Sequence, residues 1–209
     1  MLPFRSALVF LVLSLVAGCG AVSAVSDASG RKDAYTLSPA TRGGADGTTA
    51  ASGLRHVVVE RPTSAGALAT DRILIKPLPV QAQYLSDGRW SEPAPELVQT
   101  LLVASFQNLG GFLLVGRTGA GLQPDYTLMT ELQAFQAEPL GTSSVPLTIR
   151  TEAMMTVIRE SDRRIVASRR FAASAIVASD DTLTVVSGFD SAMQTLLRDV
   201  VVWTRARTR

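Results

Sequence analysis

Residues 125–138 read DYTLMTELQAFQAE. Apolar and polar side chains alternate, so Tyr126, Leu128, Leu132 and Ala134 fall on one face, with Thr130 among them. Alternation of period two over such a length describes a β-strand with one buried and one wetter face. Two further stretches repeat the pattern. Residues 147–159 align Leu147, Ile149, Ala153, Met155 and Val157. Residues 165–177 align Ile165, Ala167, Phe171, Ala173, Ala175 and Val177, with Arg169 as the misfit. Residues 160–164 supply the turn between these two. Three such strands in succession predict an antiparallel meander.

Downstream, the period changes. Val185, Val186, Phe189, Met193, Leu196, Leu197, Val200 and Val201 recur at spacings of three and four. That predicts an amphipathic helix over residues 183–205, laid on a sheet. Upstream, Pro95 and Glu96 signal a helix start, and Gly110-Gly111 a stop, so a first helix is expected over residues 95–108. Shorter strands are expected at 56–60 (HVVVE), 72–76 (RILIK), 80–85 and 112–115, with Ser86-Asp87-Gly88 as a turn. The expected fold is α+β: a central, mostly antiparallel sheet with two helices packed on one face.

The other end of the chain has a different character. Arg5 precedes the run LVFLVLSLV at residues 8–16, and Ala17-Gly18-Cys19 follows. A basic start, a short apolar core and small residues before a cut make a secretory signal peptide over residues 1–18. The run is well short of the ~20 apolar residues that cross a bilayer. Cys19 is the chain's single cysteine and sits at the cut. That placement resembles a bacterial lipobox, in which the cysteine carries diacylglycerol and an N-acyl chain and becomes the first mature residue. An ordinary cleaved signal with a chance cysteine is the alternative. Two or three acyl chains anchor far more firmly than one. Gly20 stands where aspartate commonly retains such proteins at the inner membrane, which leans towards the inner leaflet of the outer membrane. Residues 19–54 are rich in Gly, Ala, Ser and Thr and read as a flexible tether, with Tyr35-Thr36-Leu37 as a short segment able to dock. The folded domain is expected over residues 55–209.

Composition narrows the function. Lys and Arg total 20 against 18 Asp and Glu, so the mature chain is near neutral and lacks the basic excess of a nucleic-acid binder. One cysteine and one histidine rule out a multi-His or Cys-rich zinc site. No metal and no cofactor other than the lipid is expected. A Ser-His-Asp arrangement would need His56, and no nucleophile elbow accompanies it. Gly116–Gly121 (GRTGAG) lacks both the Lys-Ser/Thr pair and the following helix of a phosphate loop, and reads as a turn. Asp180-Asp181 suits the start of the last helix better than an acid pair. Arg159, Arg163, Arg164, Arg169 and Arg170, with Glu160 and Asp162, gather about one hairpin; Arg205, Arg207 and Arg209 form a basic tail. Each suits a solvated surface or a contact with headgroups or an acidic partner. Tyr84, Arg89 and Trp90 are the expected partner contacts, since Trp and Arg are enriched in interface hot spots; the other reading has Trp90 packed over the first helix.

The lipobox, Tyr35-Thr36-Leu37, RILIKP, QYLSDGRWSEP, PELVQTLL, DYTLMTELQAFQAE and FDSAMQTLLRDVVVW, in this order, resemble the ABC-type transport auxiliary lipoproteins, the PqiC-like family. The resemblance implies a non-catalytic lipoprotein on the periplasmic side of the envelope. It implies a partner, the MCE-domain periplasmic protein of an ABC transporter that moves phospholipid or other hydrophobic molecules between the membranes. A homo-oligomer matching that partner fits the same picture. A stand-alone structural outer-membrane lipoprotein that aids envelope assembly is the alternative.

Overall fold

The protein was analysed as a computed structural model, which describes residues 32–41, 55–119, 121, 123–142 and 144–208. Cys19, the signal peptide, much of the tether and Arg209 lie outside the described residues. Three strands dominate: β7 (Tyr126–Pro139), β8 (Leu147–Arg159) and β9 (Arg164–Val177). They pair in sequence as the antiparallel meander expected, β7 with β8 and β8 with β9.

The other edge of β7 is built differently. Three short strands, β2 (His56–Val59), β3 (Thr63–Ser64) and β4 (Arg72–Ile75), follow one another along it, each parallel to β7. Beyond β2 lies β6 (Leu114–Arg117), also parallel. Beyond β4 lie β5 (Gln83–Trp90), antiparallel to it, and β1 (Asp33–Tyr35), parallel to β5. The sheet is therefore mixed, its two long ladders antiparallel and its short ones mostly parallel.

Helices α1 (Ala94–Leu109) and α2 (Thr182–Arg207) extend the predicted spans by one or two residues at each end. Asp181 caps α2, accepting the Thr184 backbone N–H at 3.1 Å. Gly110 ends α1 at φ 65°, where a side chain would be strained. Both helices bury their apolar stripes in one cluster with Leu128, Leu132, Ile149, Ala153, Met155 and Val157. Among the described residues, the opposite sheet face meets neither helix.

Three sequence expectations change. Leu132 faces Ala153 but Ala134 faces Glu152, so Gln133 bulges and the alternation inverts. Ala134 thus leaves the helix-side face and Phe135 joins it, 1% exposed. A second shift, between Val157 and Ile158, pairs Ile165 with Ile158 on the outer face, where Ile165 is 67% exposed. Finally, Ser86-Asp87-Gly88 is no turn but the middle of β5. Gly88 is needed there because a Cβ would lie 2.7 Å from Thr182 Cγ2 and 3.0 Å from the Tyr35 ring.

Part of the expected tether is also structure. β1 begins at Asp33, and the body forms one unit from Asp33 to Arg209. Leu37 and Ala40 are buried. Polar groups of the body hold this segment: Ser91 N–H donates to Tyr35 O (2.7 Å), Ser38 N–H to Asp190 Oδ1 (2.6 Å) and Ala40 N–H to Ser105 Oγ (2.9 Å). Few large apolar residues are needed when the host supplies the hydrogen bonds.

Candidate interaction surfaces

β5 carries the three residues expected to meet a partner. An irregularity in the β4–β5 pairing, between Arg72 and Leu74, inverts the alternation along β5, so Tyr84 and Trp90 take opposite faces although an even number of residues separates them. Trp90 is fully buried. Its ring lies 5.3 Å from Phe135 and 5.1 Å, edge-on, from Phe189 of α2. An indole enclosed in this trio presents no surface, so the expectation that Trp90 touches a partner is corrected: it is a core residue that fixes β5 against α2. Arg89 and Tyr84 stay half-exposed on the face away from the helices. Arg89 donates to Asp71 Oδ2 and to the Trp90 carbonyl, both at 3.3 Å. The Arg72 guanidinium stands 4.2 Å over the Tyr84 ring, whose hydroxyl donates to Ala67 O (3.3 Å).

The same face continues across the long strands. Tyr84 opposes Leu74, Leu74 pairs with Gln136, Gln136 with Arg150 and Arg150 with Ser174, forming one cross-sheet row. Glu152 lies beside it, 8% exposed, between Arg150 (2.9 Å) and Arg170 (3.3 Å). Arg150 also reaches Glu138 at 4.0 Å. A carboxylate so enclosed is satisfied by two guanidinium groups whose outer faces remain in solvent. The sequence reading passed over Glu152 and Arg150; the signal was their place as alternate polar residues on a long strand.

At the start of β7 the surface is densely charged. Asp125 Oδ2 accepts the His56 backbone N–H (2.7 Å) and its Oδ1 lies 3.9 Å from Arg55. Around the β8–β9 turn, Arg159 meets Asp162 (3.3 Å) and Arg163 meets Glu160 (2.5 Å). A hydrogen bond from Thr127 and the neighbouring Arg163 hold the Glu160 carboxyl below its ordinary pKa, against the opposing pull of burial. An open hollow of about 800 Å³ joins Arg55, Asp125, Arg159 and Glu160. The Arg cluster is therefore two surfaces: the turn residues here, and Arg170 in the lattice with Glu152. Arg169 is the misfit explained, its guanidinium 4.9 Å from the Phe171 ring.

The remaining candidates fall apart in space or into structural roles. His56 is half-buried on β2, paired through its backbone with Asp125. Gly116 and Arg117 close β6, and the turn starts at Thr118. Arg205 packs against Gly111, where an added Cβ would meet the Arg205 side chain. Among the described residues, no three of His, Cys, Asp and Glu converge as a metal site. Nor is any helix there long and apolar enough to cross a membrane.

Known proteins share this architecture. A crystal structure of a Xanthomonas campestris protein superposes with a TM-score of 0.71 at 25% identity, covering 83% of this chain and 96% of that one. A crystal structure of an uncharacterized protein superposes at 0.61, with 16% identity and 83% and 98% coverage, which speaks to the fold alone. An uncharacterized protein of Bradyrhizobium diazoefficiens is 27% identical over 178 residues, 85% of this chain. The chain spans 46% of the length of that relative. The family model described as ABC-type transport auxiliary lipoprotein component matches residues 35–201, from β1 into the last turns of α2, and the chain belongs to that family.

Proposed function

We propose that the chain is a non-catalytic, lipid-anchored subunit of an MCE-type ABC transport system, one that moves phospholipid or another hydrophobic molecule across the periplasm. The observation that carries this reading is the family match over residues 35–201. The single cysteine behind an apolar run supports it by supplying the anchor at Cys19. In this reading acyl chains on Cys19 hold the protein to the inner leaflet of the outer membrane, and the body docks on the periplasmic MCE-domain protein. Tyr84 and Arg89 are the contacts proposed on β5. Both lie on the helix-free face beside the Arg150–Glu152–Arg170 lattice, a broad polar surface suited to reversible docking rather than to catalysis.

The test is co-purification. The chain is tagged at its C-terminus, envelopes are solubilised in mild detergent, and its companions are identified by mass spectrometry. Recovery of an MCE-domain protein with its permease and ATPase is the expected result. Tyr84→Ala with Arg89→Ala should lower that recovery while the variant stays folded. Recovery of the lipoprotein alone, or with a barrel protein, would replace the transport reading by the stand-alone envelope role.

A further inference from the structure

The fold brings three connections together at one end of the long strands. Lys76 N–H donates to Ala137 O (2.8 Å), which places residues 77–82 beside the end of β7. The β7–β8 connection, residues 140–146, is closed there by Leu140 N–H donating to Pro146 O (2.8 Å). β9 ends there too, since Val177 pairs with Leu147, and residues 178–181 lead directly into α2. A hollow of about 670 Å³ joins Leu78, Pro139, Thr142 and Asp180 from all three. Ile176 and Leu183 line a second hollow on the α2 side.

Six large apolar side chains stand in solvent at this end: Leu78, Val80, Leu140, Val145, Ile176 and Leu183. Val80 is 95% exposed. Residues 77–82 (PLPVQA) and 140–146 (LGTSSVP) contain no charged residue. Residues 178–181 contain only Asp180 and Asp181, and Asp181 is turned to the Ser179 hydroxyl and the Thr184 N–H as the α2 cap. Apolar groups gathered and exposed in this way mark an interaction surface.

We propose that this end of the body rests on the phospholipid surface to which Cys19 tethers the chain, with Val80 and Leu183 seated at the headgroup–acyl boundary. The inference rests on the lipidation reading above. Two observations choose lipid as the occupant. First, β1 runs parallel to β5, from Asp33 beside Gly88 to Tyr35 beside Trp90, so the chain enters β1 from the Gln83 side, where the apolar loops lie. Gly88 stands about 17 Å from Gln83 along the strand, whereas residues 19–32 extend to about 45 Å. The tether is therefore long enough for the apolar loops to touch the bilayer that holds Cys19, without doubling back over the body. Second, the three connections themselves offer no basic residue, with Lys32 and Lys76 only flanking them, so apolar burial rather than attraction to anionic headgroups is the driving term. The contact is accordingly insensitive to salt and does not require anionic lipid.

The experiment uses the full, acylated chain reconstituted into vesicles of phosphatidylethanolamine and phosphatidylglycerol. Val80→Cys, Leu183→Cys and, at the charged end, Ser161→Cys each add one free thiol, the Cys19 thiol being occupied by its lipid. All three parent residues are exposed, so the fold tolerates the changes. Each thiol takes a nitrobenzoxadiazole probe, and spin-labelled lipid serves as quencher. The expected result is blue-shifted emission and strong quenching at positions 80 and 183, unchanged by added salt, with neither at 161. Emission at 80 and 183 as water-like as at 161 overturns the proposal. So does a blue shift without lipid quenching, which would mean that another protein or a second copy covers this end. Flotation of the parent chain is measured alongside. If the parent floats and Cys19→Ala does not, the anchor stands whatever the probes report; if the parent does not float, the lipidation reading and this proposal fall together.

Discussion

The two ends of the long strands share one sheet and one core and both expose apolar side chains, Ile165, Leu113 and Leu114 at one and Val80 and Leu183 at the other, yet their charge differs sharply. At the β8–β9 turn and the start of β7, Arg159, Asp162, Arg163, Glu160, Asp125 and Arg55 pair across short distances. At the other end, loops without charge expose Leu78, Val80, Leu140 and Val145. Exposed apolar side chains add nothing to the core, and exposed ion pairs add little. Under the membrane proposal above, the contrast makes the long axis of the sheet a functional axis, one end meeting an apolar medium and the other water or a polar partner.

The comparison assumes that both ends hang on one cooperative core, and the largest expected effect tests that. Trp90→Ala empties the space between Phe135 and Phe189 and should cost about 3–5 kcal/mol. It also leaves Trp203 as the single tryptophan, packed on Phe171. Denaturant curves from Trp203 fluorescence and from far-UV circular dichroism should shift together. Curves that separate would show the ends unfolding apart and break the comparison at its root.

Gly188→Ala probes the apolar end from beneath. The new Cβ would stand 2.5 Å from Val177 Cγ1 and 2.7 Å from Ile149 Cγ1. Alanine favours a helix over glycine by about 1 kcal/mol, but overpacking costs about 1–3 kcal/mol. A net loss of about 1 kcal/mol is expected, because neither contacting atom belongs to the far end of a long, flexible side chain. Hydrogen exchange should quicken at the β8 start and β9 end more than at the charged turn.

Glu152→Gln tests the lattice between the ends. It removes a charge enclosed by two arginines that are themselves half in solvent, so a loss of about 1 kcal/mol is expected from chemical denaturation.

Acid should act on both ends. The Asp181 carboxyl is lowered from 3.8 to about 2, chiefly by hydrogen bonds from Ser179 and Thr184, and Glu160 is lowered by Thr127 and Arg163. A depressed carboxyl stabilises the fold above its unfolded pKa, and that contribution disappears as pH falls through the folded value. Thermal unfolding between pH 5 and about 2 should show a declining midpoint. Asp181→Ala should remove the lower part of the decline, centred between 3.8 and about 2.

The smallest effect sharpens the contrast most. Val80→Ser with Leu183→Ser should leave stability within about 0.5 kcal/mol of the parent. A larger loss in denaturant unfolding would mean that these side chains pack in the body and that the apolar end is structural.

Much of this fold was legible from pattern. The three long strands, both helices and the Asp181 cap follow from periods of two and 3.6 and from start signals. Those signals are local, since they depend on which side of a strand or helix a side chain leaves. Ser86-Asp87-Gly88 misled for an equally local reason: a turn-like triplet can sit in a strand when Gly88 must let Thr182 and Tyr35 approach. For the candidate surfaces less was legible. Arg89 and Tyr84 do lie on an open face, but Trp90, two strand positions from a turn-like triplet, carried no mark of its burial.

By itself the sequence determined the meander, the two amphipathic helices, the near-neutral charge and the single cysteine behind an apolar run. Each is a property of neighbouring residues or of the total count. Tertiary structure alone decided which face Phe135, Ala134 and Ile165 take, because one bulged residue inverts every position beyond it. The sequence marked Tyr35-Thr36-Leu37 as able to dock, but tertiary structure alone supplied Asp190, Ser105 and Asn108, which hold residues 33–41 to the body. It alone assembled the apolar end. Leu78, Val145 and Leu183 are far apart along the chain, and only the pairing of β4, β7, β8 and β9 brings them to one end of the sheet.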